Sequence, residues 1–179
     1  MLPVSSHRTK LGLVGADENE DLSRRPQFCS PFLIACSTQN AKFTATAVSC
    51  LQRLSVSRAL PRERLTEVLE AFKQSVTSGT GSEHHGDMNI LTYSGHDVQL
   101  KILQALPSLL QHYPSEIRGD LLSTVLQICS SLQSIKNPAV SNTAAATLQQ
   151  LVIAVFDRVT VEDGKHVSIC RKKGCSDHC

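Results

Sequence analysis

The sequence has no tryptophan, and aromatic residues make up only 4% of it. An interior without large rings has to be filled by aliphatic side chains, which suits helices packed on helices. No apolar run approaches the roughly 18–20 residues that a membrane-spanning helix needs. The N-terminus, MLPVSSHRTKLGLVGADENED, lacks an apolar stretch of about 7–15 residues of the kind a signal peptide carries. Acidic residues from Asp17 onward argue against a transit peptide. Excess charge of one sign is also missing. The 18 basic and 16 acidic side chains leave a net +2, too little field to collect nucleic acid or anionic lipid. The expectation is a cytosolic chain.

Catalytic signatures are absent as well. There is no nucleophile elbow, P-loop or HExxH, and no carboxylate pair inside an apolar stretch where its pKa would be tuned. The glycine pair Gly79 and Gly81 follows a helical pattern rather than a strand, so it is not a dinucleotide loop. Alternation of the strand type does not run convincingly anywhere. An all-α, non-enzymatic protein that needs no cofactor is expected.

What is present is a long succession of apolar positions spaced by three and four. The 179 residues are 41% hydrophobic and 19% charged, enough for one domain with a real core. Residues 1–27 are polar and read as a disordered leader. Ser30-Pro31 reads as a cap and first-turn pair, followed by Phe32, Leu33, Ile34 and Cys36. Asn40 can cap a helix over about 41–57, and Leu60-Pro61 ends it. A third helix over about 62–77 carries Leu65, Val68, Leu69, Phe72 and Val76. Residues 78–95 lose the period and read as a loop, longer than the roughly 12–15 residues usual in compact domains. The pattern resumes from Val98 to Tyr113, with a kink or break expected at Pro107. Pro114 reads as the start of the next helix, with Gly119 loosening its first turns. Asn137-Pro138 is the strongest helix start in the chain. It opens a helix over about 138–161, small at Ala144, Ala145 and Ala146 and strongly apolar from Leu148 to Val159. A polar tail follows Asp163.

One frame recurs in this pattern: LQRL at Leu51–Leu54, LQAL at Leu103–Leu106 and LQQL at Leu148–Leu151. The second and third copies start 45 residues apart, and the first and second 52, an interval that includes the long loop. With that loop as an insertion, both intervals fall near the period of about 40–47 residues of HEAT and armadillo units. The leucines would then face the inner layer and the glutamines its edge. Coincidence is the competing explanation, since LQHY and LQSI show that Leu-Gln pairs are common here.

The segments PFLIACSTQNAKFTATAVSCLQRLSVSRALP, DVQLKILQALPSLLQHY and KNPAVSNTAAATLQQLVIAVFDRV also resemble a known domain. They are similar to the N-terminal DCB domain of the large ARF guanine-nucleotide exchange factor superfamily, most of all its Mon-two (monensin-sensitivity) branch in a fungal-like form. The resemblance covers residues 28–163, and its most specific part is NTAAATLQQLV at Asn142–Val152. It implies an armadillo/HEAT-like, right-handed α-solenoid of about six helices. It also implies a scaffold of endosome-to-Golgi vesicle traffic that lacks the exchange domain, is cytoplasmic and sits peripherally on Golgi and endosome membranes. The partners it implies are a Dopey-type protein, an Arf-like GTPase, a lipid flippase and a second copy. The family's proteins are many times longer, so a fragment or truncated gene product is expected, with the family's first helices missing ahead of Ser30. The alternative reading is a HEAT-type adaptor of nuclear transport or the cytoskeleton.

Four groups of residues are candidates for a site. The tail holds Cys170, Cys175, His178 and Cys179, chemically able to bind Zn²⁺, but spaced C-x4-C-x3-C without the tight knuckle of structural zinc sites. The loop holds His84 and His85 with Glu83, Asp87 and His96, where ordering a flexible segment opposes a preformed metal site. Neither is expected to be a metal centre. Arg58, Arg62 and Arg64, with Arg53, form the densest basic set, for which a solubilising rim competes with a contact to acidic headgroups or a partner. Phe32, Ile34, Phe43 and Val48 are expected to lack cover at the start of the helical stack and to form an interface. Cys29, Cys36, Cys50 and Cys129 read as reduced core thiols.

Overall fold

A computed structural model describes residues 20–38, 40–78 and 90–172. Six α-helices of eight residues or more lie among them: α1 Ser30–Ser37, α2 Ala41–Val56, α3 Leu65–Ser78, α4 Ile90–His112, α5 Gly119–Gln133 and α6 Pro138–Lys172. Two short 3₁₀ turns, Pro26–Cys29 and Arg62–Arg64, lead into α1 and α3. No strand occurs among the described residues.

The helices form three successive hairpins, α1/α2, α3/α4 and α5/α6, stacked side by side. Second helices pack on second helices, α2 on α4 and α4 on α6, and first helices on first helices, α1 on α3 and α3 on α5. The result is a two-layer, all-α solenoid, and it settles the recurring frame. Each L-Q-x-L lies in the second helix of its hairpin, at the same level of one layer. Leu51, Leu103, Leu106 and Leu151 are fully buried, Leu54 and Leu148 half-buried, and Gln104 and Gln149 reach solvent. Two copies touch: the Gln52 side-chain amide donates to the Gln104 carbonyl at 3.2 Å. Between the layers lies the aliphatic core, into which Phe72 and Tyr113 bring buried rings.

Local chemistry explains most boundaries. The Asn40 carboxamide accepts from the backbone N–H of Lys42 and Phe43, and that of Asn137 from Ala139 and Val140. Each such cap contributes about 1 kcal/mol. At the end of α2 the Ala59 N–H returns to the Leu54 carbonyl and the Arg58 N–H to Ser55. That closure places Arg58 at φ 56°, a left-handed conformation that costs a residue bearing a Cβ about 1–2 kcal/mol. Arg58→Gly is therefore expected to stabilise the fold by about 0.5–1 kcal/mol after the greater freedom of glycine in the unfolded chain is subtracted. An upward shift of the denaturant midpoint at unchanged slope checks it.

Several sequence expectations are corrected. Ser30 is not the cap of α1: Cys29 is, because the Pro26–Cys29 turn runs straight into the helix and leaves no extended residue for a cap. Pro107 does not break α4, which is continuous through it. The buried leucines on both sides, Leu103, Leu106, Leu109 and Leu110, hold the helix together across the lost hydrogen bond. Pro114 does not start α5. Residues 113–118 form a turn pinned by the buried Ile117, and Gly119, at φ 51°, opens the helix rather than loosening it. Residues 90–95 belong to α4 rather than to the loop, and residues 79–89 lie outside the described residues. Residues 20–27 of the expected disordered leader are mostly helical turns, and the rest of it lies outside the described residues.

The largest corrections concern α6. Its backbone stays helical to Lys172, beyond the expected end near 161, since extending an existing helix is far easier than starting one. Its segment Pro138–Glu162 is also long and apolar enough to cross a membrane, by length and composition. Looking for uninterrupted apolar runs missed it, because its polar positions are mostly uncharged Ser, Thr, Asn and Gln. Finally, of the three consecutive alanines only Ala144 is in the core, Ala145 being half-buried and Ala146 exposed.

Candidate interaction surfaces

The first hairpin carries the apolar residues expected to lack cover, and it treats them differently. Ile34 and Phe43 are 63% and 61% exposed. Phe32 is half-buried against the core and meets the exposed Phe28 edge to face at 6.1 Å. Val48 is fully buried, so it is a core residue and not an interface candidate. It sits on the side of α2 that also buries Thr44, Ala45, Ala47 and Leu51.

The arginines are drawn into the ends of the hairpins. Arg62 pairs with Glu116 at 2.9 Å, linking the turn before α3 to the turn after α4. Arg64, largely covered, pairs with Glu67 at 3.1 Å and donates to the Ser30 hydroxyl at 3.4 Å. Arg53 and Arg58 remain exposed. With two of its four charges set against carboxylates, the basic set offers anionic headgroups less than the sequence suggested.

The same junctions contain the best-formed polar contact of the core. The buried Tyr113 hydroxyl donates to the Leu60 carbonyl at 3.0 Å and accepts from the Leu60 N–H at 3.1 Å. Burial pushes this phenol up to about 12. Cys36 and Cys129 are pushed up to about 11 by burial alone, and Cys29 is raised mainly by burial. These three thiols are free and buried, and Cys50 is free and half-buried. Inert packing thiols, not nucleophiles, fit that setting.

Most of the metal candidates lie outside the described residues. Cys175, His178 and Cys179 lie outside the described residues, as do Glu83, His84, His85 and Asp87. Cys170 lies on the helical backbone of α6. Among the described residues no group of three or more His, Cys, Asp and Glu could hold a metal ion. His96 has a structural contact: its Nδ1 lies 3.0 Å from the Asn137 side-chain nitrogen. The Asn137 oxygen is occupied in capping α6, so the amide donates and the imidazole accepts.

Sequence reasoning missed the largest group of exposed apolar side chains among the described residues. On α6 the core side buries Val140, Ala144, Thr147 and Leu151. The side turned away from the core shows Val152, Ile153, Phe156 and Val159, at 39%, 53%, 67% and 46% exposure. Reading Leu148 to Val159 as one stripe hid this second face. The available signal was that the helix is apolar all round in this half, which in a soluble setting means that something covers it.

A family model described as DCB: Mon2/Sec7/BIG1-like, dimerisation and cyclophilin-binding domain matches residues 4–163. The chain belongs to this family. The matched DCB span takes in residues 4–27 as well, which the sequence reading set apart as a leader. This DCB domain is similar to Protein MON2 of Saccharomyces cerevisiae, 39% identical over 145 residues, which is 80% of this chain and 8% of that protein. It is similar to the MON2 homolog of Schizosaccharomyces pombe, 31% identical over 139 residues, or 78% of this chain and 8% of that one. The human MON2 homolog is 27% identical over 139 residues, covering 78% of this chain and 7% of its own length. The chain thus spans less than a tenth of the length of these relatives. No solved structure matches it.

Proposed function

We propose that this DCB domain is a non-catalytic scaffold of endosome-to-Golgi trafficking, and that it acts by self-association and by binding protein partners. By resemblance those partners are a Dopey-type protein, an Arf-like GTPase and a lipid flippase, which would hold the scaffold peripherally on Golgi and endosome membranes. The observation that carries the reading is the outer face of α6, and the occupant we assign to it is a second copy. Dimerisation is part of the family's description.

The magnitudes favour a reversible dimer. Full burial of a large apolar side chain is worth about 1.5–3 kcal/mol, so a half-exposed one has roughly 1 kcal/mol left to gain. A two-fold contact uses each of the four residues twice, giving roughly 8 kcal/mol against an association cost of about 4–15. Pairing through this face alone is therefore weak and concentration-dependent.

The test is co-capture of two differently tagged copies. Ile153→Asp with Phe156→Asp is expected to abolish it, and Ile34→Asp with Phe43→Asp to leave it intact. Both pairs are exposed, so the fold survives either change, and an unchanged helical circular dichroism spectrum verifies that. Loss of capture only with the first-hairpin pair would move the interface to the other end of the stack and refute the assignment to α6.

A further inference from the structure

The layer of second helices has a groove that neither the family description nor self-association uses. It lies between α2, α4 and α6, with a volume of about 420 Å³. Gln52, Gln104, Gln111 and Gln150 line it, with Ser108, Thr143 and Thr147, over a floor of Leu103 and Pro107. A second groove of about 370 Å³ shares Pro107, Gln111 and Gln150 with the first and continues it past Leu110, Leu151 and Ala154. The two make one surface channel open to solvent, amide-lined at one end and aliphatic at the other. The only charged lining residue is Arg158, whose guanidinium already donates to the Pro114 carbonyl at 2.9 Å and to the Ile117 carbonyl at 3.4 Å.

Pro107 adds an independent feature. A helical carbonyl normally receives the N–H four residues on, and proline has none, so the Leu103 carbonyl is left without its helical donor. Leu103 and Pro107 both line the channel. The neighbouring Gln104 carbonyl takes extra donors, the Gln52 amide at 3.2 Å and the Ser108 hydroxyl at 3.5 Å, and Leu103 is given neither.

We infer that the channel binds an extended, uncharged peptide segment bearing an aliphatic side chain. Carboxamides carry both donors and acceptors, the same pair of groups that a peptide backbone presents at every residue. Gln111 and Gln150 would pair with the bound backbone, and one of its N–H groups would fill the Leu103 carbonyl. Leu110, Leu151 and Ala154 would take the aliphatic side chain. A basic segment would meet the Arg158 cation and no carboxylate, and an acidic one only a guanidinium already held by two carbonyls, which disfavours a charged segment. This site is on a different side of α6 from Ile153 and Phe156, so it stands or falls separately from self-association.

The test is a selection of a random linear-peptide display library on the whole chain, followed by affinity measurement of the enriched peptides. The expected result is a peptide family with no net charge and one recurring aliphatic position. Gln111→Lys with Gln150→Lys should weaken its binding at least tenfold. Pro107→Ala, which restores the helical N–H without threatening the fold, should weaken it about threefold to tenfold, the worth of one hydrogen bond. Ile153→Asp with Phe156→Asp should leave it unchanged. Failure to enrich any peptide, enrichment of charged peptides, or affinities indifferent to the lysine pair would overturn the proposal. Equal affinity for the Pro107→Ala chain would remove the Leu103 carbonyl from the site and overturn the proposed backbone register.

Discussion

Tyr113→Phe is expected to cost about 2–4 kcal/mol of stability. The ring and its packing survive, but the hydroxyl that both donates to and accepts from Leu60 is lost. Both Leu60 backbone groups are then enclosed with no partner, at about 1–3 kcal/mol each, partly relieved where water can enter. The cost should be large for a single oxygen atom because the contact joins two hairpins: Leu60 closes the first, and Tyr113 follows the second helix of the next. Chemical denaturation with wild-type and variant chains at neutral pH checks it. A loss below about 0.5 kcal/mol, the scale of an ordinary surface substitution, would show that the Leu60 turn holds without the phenol.

Stability is expected to be level near neutrality and to fall steeply as the pH rises from about 9 to about 12. The groups responsible are Cys36 and Cys129, ordinarily near 9.0 and held up to about 11, and Tyr113, ordinarily near 10.0 and held up to about 12. Burial is the main cause in all three. The unfolded chain gives up these protons at the ordinary values while the folded chain keeps them, so unfolding releases protons and stability decreases with pH across that window. Well below 9, from about 8 downward, the three groups are neutral in both states and contribute almost no slope. Two units correspond to roughly 3 kcal/mol per group, so together they are enough to unfold a domain of ordinary stability. Cys36→Ala with Cys129→Ala should flatten the part of the curve between about 9 and 11. Tyr113→Phe should flatten the part between about 10 and 12. Denaturation midpoints followed across this range measure both.

Legibility in the sequence varied with the physics of each element. Capped helices were readable because Asn40 and Asn137 announce themselves by a short polar side chain just ahead of an apolar run. The layering was half-readable: the L-Q-x-L frame marks the second helix of each hairpin, but only the contact from Gln52 to Gln104 distinguishes a repeat from coincidence. Pro107 and Pro114 misled for the same reason, since local propensity was overridden by burial of Leu103, Leu106 and Leu109 in one case and Ile117 in the other. The interaction surfaces were the least readable. Val48 and Phe43 look alike in a pattern of apolar residues, and only packing places one in the core and the other in solvent. On α6 an apolar helix shows two faces, and the sequence does not say which one the rest of the stack has already used.

Those two faces of α6 are the centre of the account: the inner one closes the stack of hairpins, and the outer one is the face proposed to meet a second copy. Light scattering of the wild-type chain from dilute to concentrated solution tests this most directly. The mass should climb from that of a monomer toward twice that value, and the Ile153→Asp, Phe156→Asp chain should stay monomeric throughout. A wild-type chain that remains a monomer at every concentration would contradict it.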